Sequence, residues 1–250
     1  MTVDWDSFTD RTIEAAEVRL LGLADTASVL ALQKLMMHDV RLQTRLSAAV
    51  LLCEHPSSIT IGRDGNLLEL PADARDLESR LLQVHRVERE GGTILHQPGQ
   101  LAGYVVVSLA ECSYGENELR WRLQDAVIAA CREVQVTVRR DPDDSAILNG
   151  RHGMLCETCL GLDNGISSFG LYLNINCRLD EAAEFGRGLK GTRISSVNAE
   201  RVRPAQMSQI RTSLAHHICH QIGYPDYHLH TGHPFLRRRQ VQSHTRELDD

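Results

Sequence analysis

The 250-residue chain has only two lysines, Lys34 and Lys190, and its other basic residues are arginines. Lysine and arginine together number 27 against 33 acidic residues, which gives a net charge of −6. Domains that bind nucleic acid usually carry an excess of basic residues, so this composition argues against a nucleic-acid partner. The scarcity of lysine also leaves very few positions for a catalytic lysine.

Long apolar runs are missing as well, because the longest, such as residues 48–53, have about six residues. A transmembrane helix needs about 20, so we expect no membrane partner. The first residues are acidic and include no apolar core, so we expect no secretory signal. Seven cysteines, an odd number without such a signal, predict reduced thiols in a cytoplasmic protein.

Hydrophobic residues make up 42% of the chain and charged residues 24%, which is an ordinary composition for a globular protein. Apolar side chains at helical spacing follow Asp25 and Thr26, which predicts a helix capped there. Alternation of Val134, Val136 and Val138 predicts a half-exposed strand. Further strands are predicted at the apolar runs 48–53, 104–109, 155–162 and 169–175.

Strands and helices that alternate along the chain, with some strands at hairpin spacing, predict an α/β fold. We expect a mixed sheet flanked by helices. No linker-like stretch divides the sequence, so we predict a single domain over residues 1–235 and a polar C-terminal tail over residues 236–250.

The glycine-rich segment, residues 89–100, reads Arg-Glu-Gly-Gly-Thr-Ile-Leu-His-Gln-Pro-Gly-Gln. Paired glycines permit positive φ and let a backbone approach a ligand closely. One interpretation is a ligand-binding loop that contains Arg89 and His96. The alternative is a tight hairpin in which the histidine is merely exposed.

This segment resembles the lipoyl-pathway octanoyltransferases, which belong to the biotin and lipoate protein ligases. The family pattern is R-G-G-x-x-T-[YF]-H-G-P-G-Q, so Arg89 and His96 fall on the family arginine and histidine. Glu90 and Gln97 replace family glycines. Residues 169–176 also resemble the family's H-G-[LF]-A-L-N-[VI]-N, with Phe169 in place of the histidine.

The resemblance implies the catalytic-domain fold of biotin and lipoate protein ligases. It also implies an enzyme that moves an octanoyl group from acyl carrier protein to a lysine of a lipoyl domain, without a cofactor. Both proteins are therefore the expected partners. The residues that fall on the family's substrate-contacting segments are Arg89, Glu90, Gly91, Gly92, Thr93, Ile94, Leu95, His96, Cys159, Leu160, Gly161, Gly170, Leu171 and Tyr172.

Family members use a cysteine as the acyl acceptor and a lysine that lowers its pKa, but this chain differs at both positions. Arg187 falls on the cysteine, and Cys156 falls on the lysine. One hypothesis is a transposed pair in which Cys156 is the nucleophile and Arg187, or Arg151 if the hairpin shifts in register, supplies the charge. Strand alternation would then turn Met154 and Thr158 toward the site, with Leu155, Glu157 and Cys159 facing away.

Two spatial expectations follow from this hypothesis. Arg187 should lie within reach of the glycine-rich segment. An elongated apolar pocket for the acyl chain should lie beside Gly91, Gly92 and His96, unless bulky side chains fill that space. The corresponding chemical expectation is that Cys156→Ala abolishes uptake of an octanoyl thioester while Cys159→Ala does not.

Two other functions remain open: a non-catalytic relative that binds an acyl or lipoyl group or its carrier, and an ATP-dependent ligase that would use Lys190. The Cys156-x-x-Cys159 spacing is also compatible with a metal or redox site, although strand alternation would separate the two thiols. His216 and His220 lie one helical turn apart, as in a solvated helix face or a metal site. We expect no metal at either place.

Overall fold

The computed structural model describes residues 15–43, 46–70, 74–185, 193–234 and 236. Arg187, Lys190 and residues 237–250 lie outside the described residues, as do all predictions made about them. The predicted domain of residues 1–235 and the tail of residues 236–250 therefore stay predictions.

An eight-stranded mixed sheet forms the centre of the fold. Its strands, in spatial order, are β11 (Tyr227–Thr231), β1 (Ala16–Leu23), β2 (Ala48–Glu54), β6 (Gln100–Val107), β10 (Ile166–Asn174), β9 (Met154–Asp163), β8 (Ile147–Asn149) and β7 (Arg139–Arg140). β1 runs parallel to β11 and β2, and each pairing from β2 to β7 is antiparallel. The predicted α/β class with a mixed sheet is confirmed.

Helices cover both faces of this sheet. α4 (Glu116–Glu133) and α6 (Met207–Gln221) pack on one face, and α1 (Thr26–Leu42) packs on the other. α2 (Ala74–Ser79), α3 (Leu109–Cys112) and α5 (Leu179–Phe185) are short. Among the helices described, none combines the length and the apolar character needed to cross a bilayer.

A second sheet of three strands lies on the α1 side of the molecule. β3 (Ser58–Ile61) pairs in parallel with β4 (Gln83–Arg86) and antiparallel with β5 (Thr93–His96). Val87 and Ile94 from this sheet region enter the core cluster beneath α1. The small sheet therefore places the glycine-rich segment on the α1 face of the large sheet.

The predicted helix after Asp25 is confirmed as α1. An Asp25 carboxylate oxygen accepts the backbone N–H of Ser28 at 3.1 Å, which satisfies one of the helix's unpaired donors. Val29, Leu32 and Met36 are buried on its inner face. The apolar residues at helical spacing in the sequence are thus the ones that pack on the sheet.

The predicted half-exposed strand at Val134, Val136 and Val138 is wrong. Gln135 adopts a left-handed φ of 61°, and the N–H groups of Val134 and Val136 both bond to the carbonyl of Cys131. All three valines enter the core beside α4. The alternating valines therefore belong to the segment that follows α4, and their side chains pack in the core without forming a strand.

Gly99 and Gly223 both have φ of +92°, but only Gly99 is crowded, since an added Cβ would lie 2.3 Å from the Asn176 carbonyl oxygen. We expect Gly223→Ala to cost about 1 kcal/mol for the left-handed backbone. Gly99→Ala should cost at least about 2 kcal/mol more, because the crowding is added to the same strain. Urea unfolding of both variants measures the difference, and equal losses would contradict the close approach of residues 99 and 176.

Candidate functional site

The glycine-rich segment packs on a turn that follows β3. The backbone N–H of Gly91 donates to an Asp64 carboxylate oxygen at 2.7 Å, and the N–H of Asp64 donates to the Gly91 carbonyl at 3.1 Å. A Cβ at Gly62 would lie 2.4 Å from the Gly91 carbonyl oxygen, so this turn needs glycine. Glycine here permits close packing of two backbone segments.

Glu90, which replaces a family glycine, fixes this segment to the large sheet. Its carboxylate forms an ion pair with Arg120 of α4, with one contact at 2.9 Å, and accepts the Leu160 N–H at 2.8 Å. The backbone N–H of Glu90 in turn donates to the Leu160 carbonyl. Arg120 is only 5% exposed, so the pair joins the segment, β9 and α4 in a largely buried contact.

Gln97 replaces the second family glycine and has a comparable role at the other end of the segment. Its side-chain amide donates to the Arg178 carbonyl at 3.0 Å and accepts the Arg178 N–H at 2.9 Å. The N–H of Gly99 donates to a Glu54 carboxylate oxygen at 2.8 Å. Both departures from the family pattern therefore supply side chains that fasten the segment.

Arg89 and His96 belong to one buried hydrogen-bond network. The Thr60 hydroxyl accepts from Arg89 at 3.0 Å, and because Nδ1 of the neutral His96 ring carries the hydrogen that faces Gln100, Nε2 accepts the hydroxyl hydrogen at 2.8 Å. Nδ1 of His96 then donates to Oε1 of Gln100 at 2.9 Å, and the Gln100 amide donates to Asn174 at 3.1 Å. The network gives His96 a defined neutral tautomer.

Burial is complete for both Arg89 and His96, so the alternative of a hairpin with an exposed histidine is wrong. Burial lowers the pKa of His96 well below its usual value, and the charges of His55 and Arg89 add to the effect. The Nε atom of Arg89 is buried without a hydrogen-bond partner among the described residues. Sequence reasoning missed Thr60, which pairs with Ile94 in the β3–β5 register and is therefore a diagonal neighbour of His96.

A second buried histidine, His55, lies against the first. Its ring centroid is 5.4 Å from that of His96, Nδ1 contacts the Ala24 carbonyl at 2.8 Å, and Nε2 contacts the Tyr104 hydroxyl at 2.7 Å. Burial lowers the pKa of His55 to about 4. Both imidazoles are therefore neutral near pH 7.

The elongated apolar pocket expected beside Gly91, Gly92 and His96 is not found among the described residues. The Tyr172 ring packs on His96 at 4.9 Å, and Leu95 and Phe169 are also buried. The cavity next to Leu95 and Tyr172 has a volume of about 30 Å³, room for one or two water molecules. Bulky side chains fill most of the expected space.

The predicted orientation of β9 is confirmed for Met154, which lines the small cavity, and for Leu155, which faces away, but it is wrong for the four residues that follow. Cys156 and Thr158 face α4 and the core beneath it, whereas Cys159 faces the α1 side, on which the glycine-rich segment lies. The pairing of β8 with β9 shifts in register between Met154 and Cys156, which places a bulge at Leu155. Leu155 and Cys156 consequently enter the same core cluster.

Cys156 lacks the surroundings of a reactive thiol. It is fully buried, and burial together with nearby Cys131 raises its pKa well above the usual value. Its Sγ contacts the Glu157 carbonyl at 3.7 Å. Because Cys156 points away from the glycine-rich segment, the structure gives no support for it as the nucleophile.

Cys159 and Glu157 are the thiol and the carboxylate that face the predicted site. The Cys159 thiol donates to a Glu157 carboxylate oxygen at 3.3 Å. Glu157 is 4% exposed and lines the small cavity together with Met154 and Tyr172. Glu157 was missed in the sequence, although a carboxylate within the apolar run 154–162 was a usable signal.

Ala182 and Ile194 also line the small cavity. They lie on the two sides of residues 186–192 in the chain, the part of the sequence that includes Arg187. The predicted contact of Arg187 with the glycine-rich segment falls outside the described residues and stays a prediction.

The remaining predicted contact residues divide between the two faces of the sheet. Gly161 lies under the segment, since an added Cβ would be 2.4 Å from the Glu88 carbonyl oxygen. Gly170 pairs with Tyr104 of β6. The side chains of Leu160 and Leu171 enter the core cluster on the α4 face, so only their backbones lie near the predicted site.

The sequence indicates two possible metal sites, at Cys156 with Cys159 and at His216 with His220. Cys156 and Cys159 face opposite sides of the sheet, as strand alternation predicts. His217, between His216 and His220, bonds to Glu133 at 2.7 Å. No group of three or more potential ligands occurs among the residues that the structure describes.

The sequence as a whole matches one family. Residues 25–222 fit the model of the lipoyl protein ligase A/B catalytic domain. This chain belongs to that family. The match includes the glycine-rich segment, β9 and β10, and thus every segment from which the candidate site is built.

Named relatives agree with this assignment. The octanoyltransferase of Syntrophobacter fumaroxidans is 29% identical over 199 residues, 79% of this chain and 86% of that protein. The octanoyltransferase of Mycobacterium sp. (strain KMS) is 30% identical over 209 residues, 81% of this chain and 84% of that protein.

Solved structures show the same fold at low sequence identity. A bi-partite lipoate protein ligase from Thermoplasma acidophilum, studied with its E2 lipoyl domain, has a TM-score of 0.67 at 14% identity and covers 88% of each chain. LipL1 of P. falciparum in complex with lipoate has a TM-score of 0.69 at 9% identity, over 86% of this chain and 66% of that one. The predicted ligase-type fold is confirmed.

Removal of the Glu90 carboxylate should destabilise the protein. Glu90→Ala leaves the buried Arg120 charge unpaired, so we expect a loss of about 3 kcal/mol in the free energy of unfolding. The double variant Glu90→Ala/Arg120→Met should lose less than Glu90→Ala alone, because no uncompensated charge remains. Urea unfolding tests this order, and a double variant less stable than the single one would contradict it.

Buried His55 should make stability depend on pH. Its folded pKa of about 4 lies below the ordinary histidine pKa of 6.5, so the unfolded chain binds more protons between these values. Stability should therefore be complete above about pH 6.5 and fall with pH, by about 2 kcal/mol from this group at pH 5. Urea midpoints of wild type and His55→Gln measure it: the variant should show the shallower pH slope, and identical slopes would refute the assignment.

Proposed function

We propose that the chain is an octanoyltransferase of protein lipoylation, which moves an octanoyl group from acyl carrier protein to a lysine of a lipoyl domain. The observation that carries this proposal is the family match over residues 25–222, supported by octanoyltransferase relatives about 30% identical over some four fifths of the chain. The glycine-rich segment is fixed in place beside β9 and β10, which supports a retained site.

We assign the acyl-accepting thiol to Cys159. Its side chain faces the glycine-rich segment, and Glu157 accepts its hydrogen at 3.3 Å. Arg120, which forms the ion pair with Glu90, also interacts electrostatically with Cys159. In this proposal a thiol and a carboxylate that share the α1 face of β9 take the place of the transposed pair of Cys156 and Arg187.

The proposed reaction has two acyl transfers. In the first, the Cys159 sulfur bonds to the carbonyl carbon of the octanoyl thioester, the donor's carbon–sulfur bond breaks, and the thiol proton passes through Glu157 to the departing sulfur. In the second, the amine of the lipoyl-domain lysine bonds to the same carbon. The Cys159 thioester then breaks, and an amine proton returns to the sulfur through Glu157.

Arg89 supports this assignment as a polar anchor. Its Nε–H is fully buried and has no partner among the described residues, which is the kind of unsatisfied donor that a ligand oxygen would complete. Neutral His96 fixes the hydroxyl of Thr60 and thereby the guanidinium. His96 and Thr60 are therefore positioning residues in this scheme.

A non-catalytic acyl-binding protein is the second candidate. It is favoured by the complete burial of Cys159, which keeps the thiol from an acyl donor. An ATP-dependent ligase is the third, and its candidate lysine, Lys190, lies outside the described residues. We further propose a cytoplasmic location, which is supported by seven cysteines that form no disulfide.

Intact-mass measurement after incubation with octanoyl-acyl carrier protein separates these functions. Wild type and Cys156→Ala should each gain one octanoyl group, and Cys159→Ala should gain none, the reverse of the expectation from sequence. Glu157→Gln should slow acylation by about a hundredfold.

The lipoyl domain added afterwards should remove the octanoyl group from wild type and Cys156→Ala. A wild type that never forms a thioester and leaves the lipoyl domain unmodified would establish the binding protein instead. Modification that appears only with ATP and free octanoate would establish the ligase.

A further inference from the structure

A groove separate from the proposed thiol site lies between α1 and the β9–β10 hairpin. Its volume is about 470 Å³, within the range of small-molecule pockets. Residues from α1, from the chain just after β4 and from the two hairpin strands line it. The catalytic proposal uses none of these side chains.

The inner surface of the groove is apolar. Leu30 and Met37 of α1, Val87, Leu162 and Phe169 line it. Met37, Val87 and Phe169 are less than a tenth exposed and belong to the core cluster that also contains Cys159. An alkyl chain in the groove would therefore contact core side chains.

Phe169 separates the groove from the buried rings on its other side. It adopts a left-handed φ of 59°, which is unusual for a bulky residue, and the buried Gln33 side chain accepts its N–H at 2.8 Å. Its ring lies 6.1 Å from that of Tyr104. The groove consequently does not continue toward His96.

The rim of the groove is basic although the chain is acidic overall. Lys34, Arg41 and Arg86 line it together with two carboxylates, Glu88 and Asp163. Arg41 pairs with Asp163 at 2.6 Å. Lys34 and Arg86 are exposed and have no ion-pair partner within the described part of the chain, so together with Glu88 they leave the groove with an excess of one positive charge.

We propose that this groove binds a linear alkyl carboxylate, with its chain on Met37, Val87 and Phe169 and its carboxylate at the rim that Lys34 and Arg86 line. An apolar surface of this size next to two unpaired cations fits a ligand with one alkyl chain and one anionic end. The transfer reaction uses a thioester and an amine, so a free fatty acid is neither substrate nor product. The groove is therefore a second ligand site, independent of Cys159.

Binding of octanoate to the full chain tests this proposal, by calorimetry or by chemical-shift titration. Hexanoate should bind about fifteenfold more weakly than octanoate, because each methylene contributes about fourfold. Octanoyl methyl ester, which lacks the anionic end, should bind at least about tenfold more weakly. Equal affinity for the ester and the acid would overturn the role of the cations.

The variants separate the groove from the thiol site. Lys34→Met/Arg86→Met should weaken octanoate about tenfold and leave the ester unaffected. The matched control is Arg132→Met, an exposed arginine at the end of α4, which should leave octanoate affinity unchanged. Leu30→Trp, which fills the groove, should abolish binding of both ligands.

Cys159→Ala should bind octanoate like wild type, so the result does not depend on acyl transfer. Loss of octanoate binding in Cys159→Ala would overturn a separate site. If octanoate fails to bind wild type while the Lys34→Met/Arg86→Met variant receives octanoyl groups more slowly from acyl carrier protein, the groove is a protein docking surface and the ligand proposal is wrong.

Discussion

The carboxylate of Glu90 sets the arrangement of the candidate site, because it binds Arg120 of α4 and the Leu160 N–H of β9 at once. A carboxylate at this depth requires both a charge partner and hydrogen bonds, and the structure supplies them. The glycine-rich segment thereby lies directly on β9 and β10. Its glycines allow backbone to approach backbone, and little space is left between the layers.

The pairing of β9 with β10 fixes which thiol faces that segment. This pairing is regular from Cys156 to Asp163, so alternation places Cys156 in the α4 core and Cys159 on the α1 side, while the bulge at Leu155 puts Leu155 and Cys156 in the same core. A difference of one residue in register moves every side chain to the opposite face. The chemistry that the chain can perform thus depends on a local feature of strand pairing.

Elements that are defined by a pattern within a short stretch of sequence could be predicted. The apolar spacing in α1 and the buried runs of β2 and β10 require no knowledge of partners. The orientation of β9 could not be predicted, because the face that each residue takes depends on the pairing of β9 with β10 and β8. Thr60 could not be placed beside His96 for a similar reason, since the two are 36 residues apart and meet through β3 and β5.

Peptide mapping by tandem mass spectrometry, after wild type has reacted with octanoyl-acyl carrier protein, tests the central claim most directly. The β9 peptide contains both candidate thiols, and fragmentation distinguishes them. The account predicts the octanoyl group on Cys159. An octanoyl group on Cys156, or on any of the other five cysteines, would contradict it.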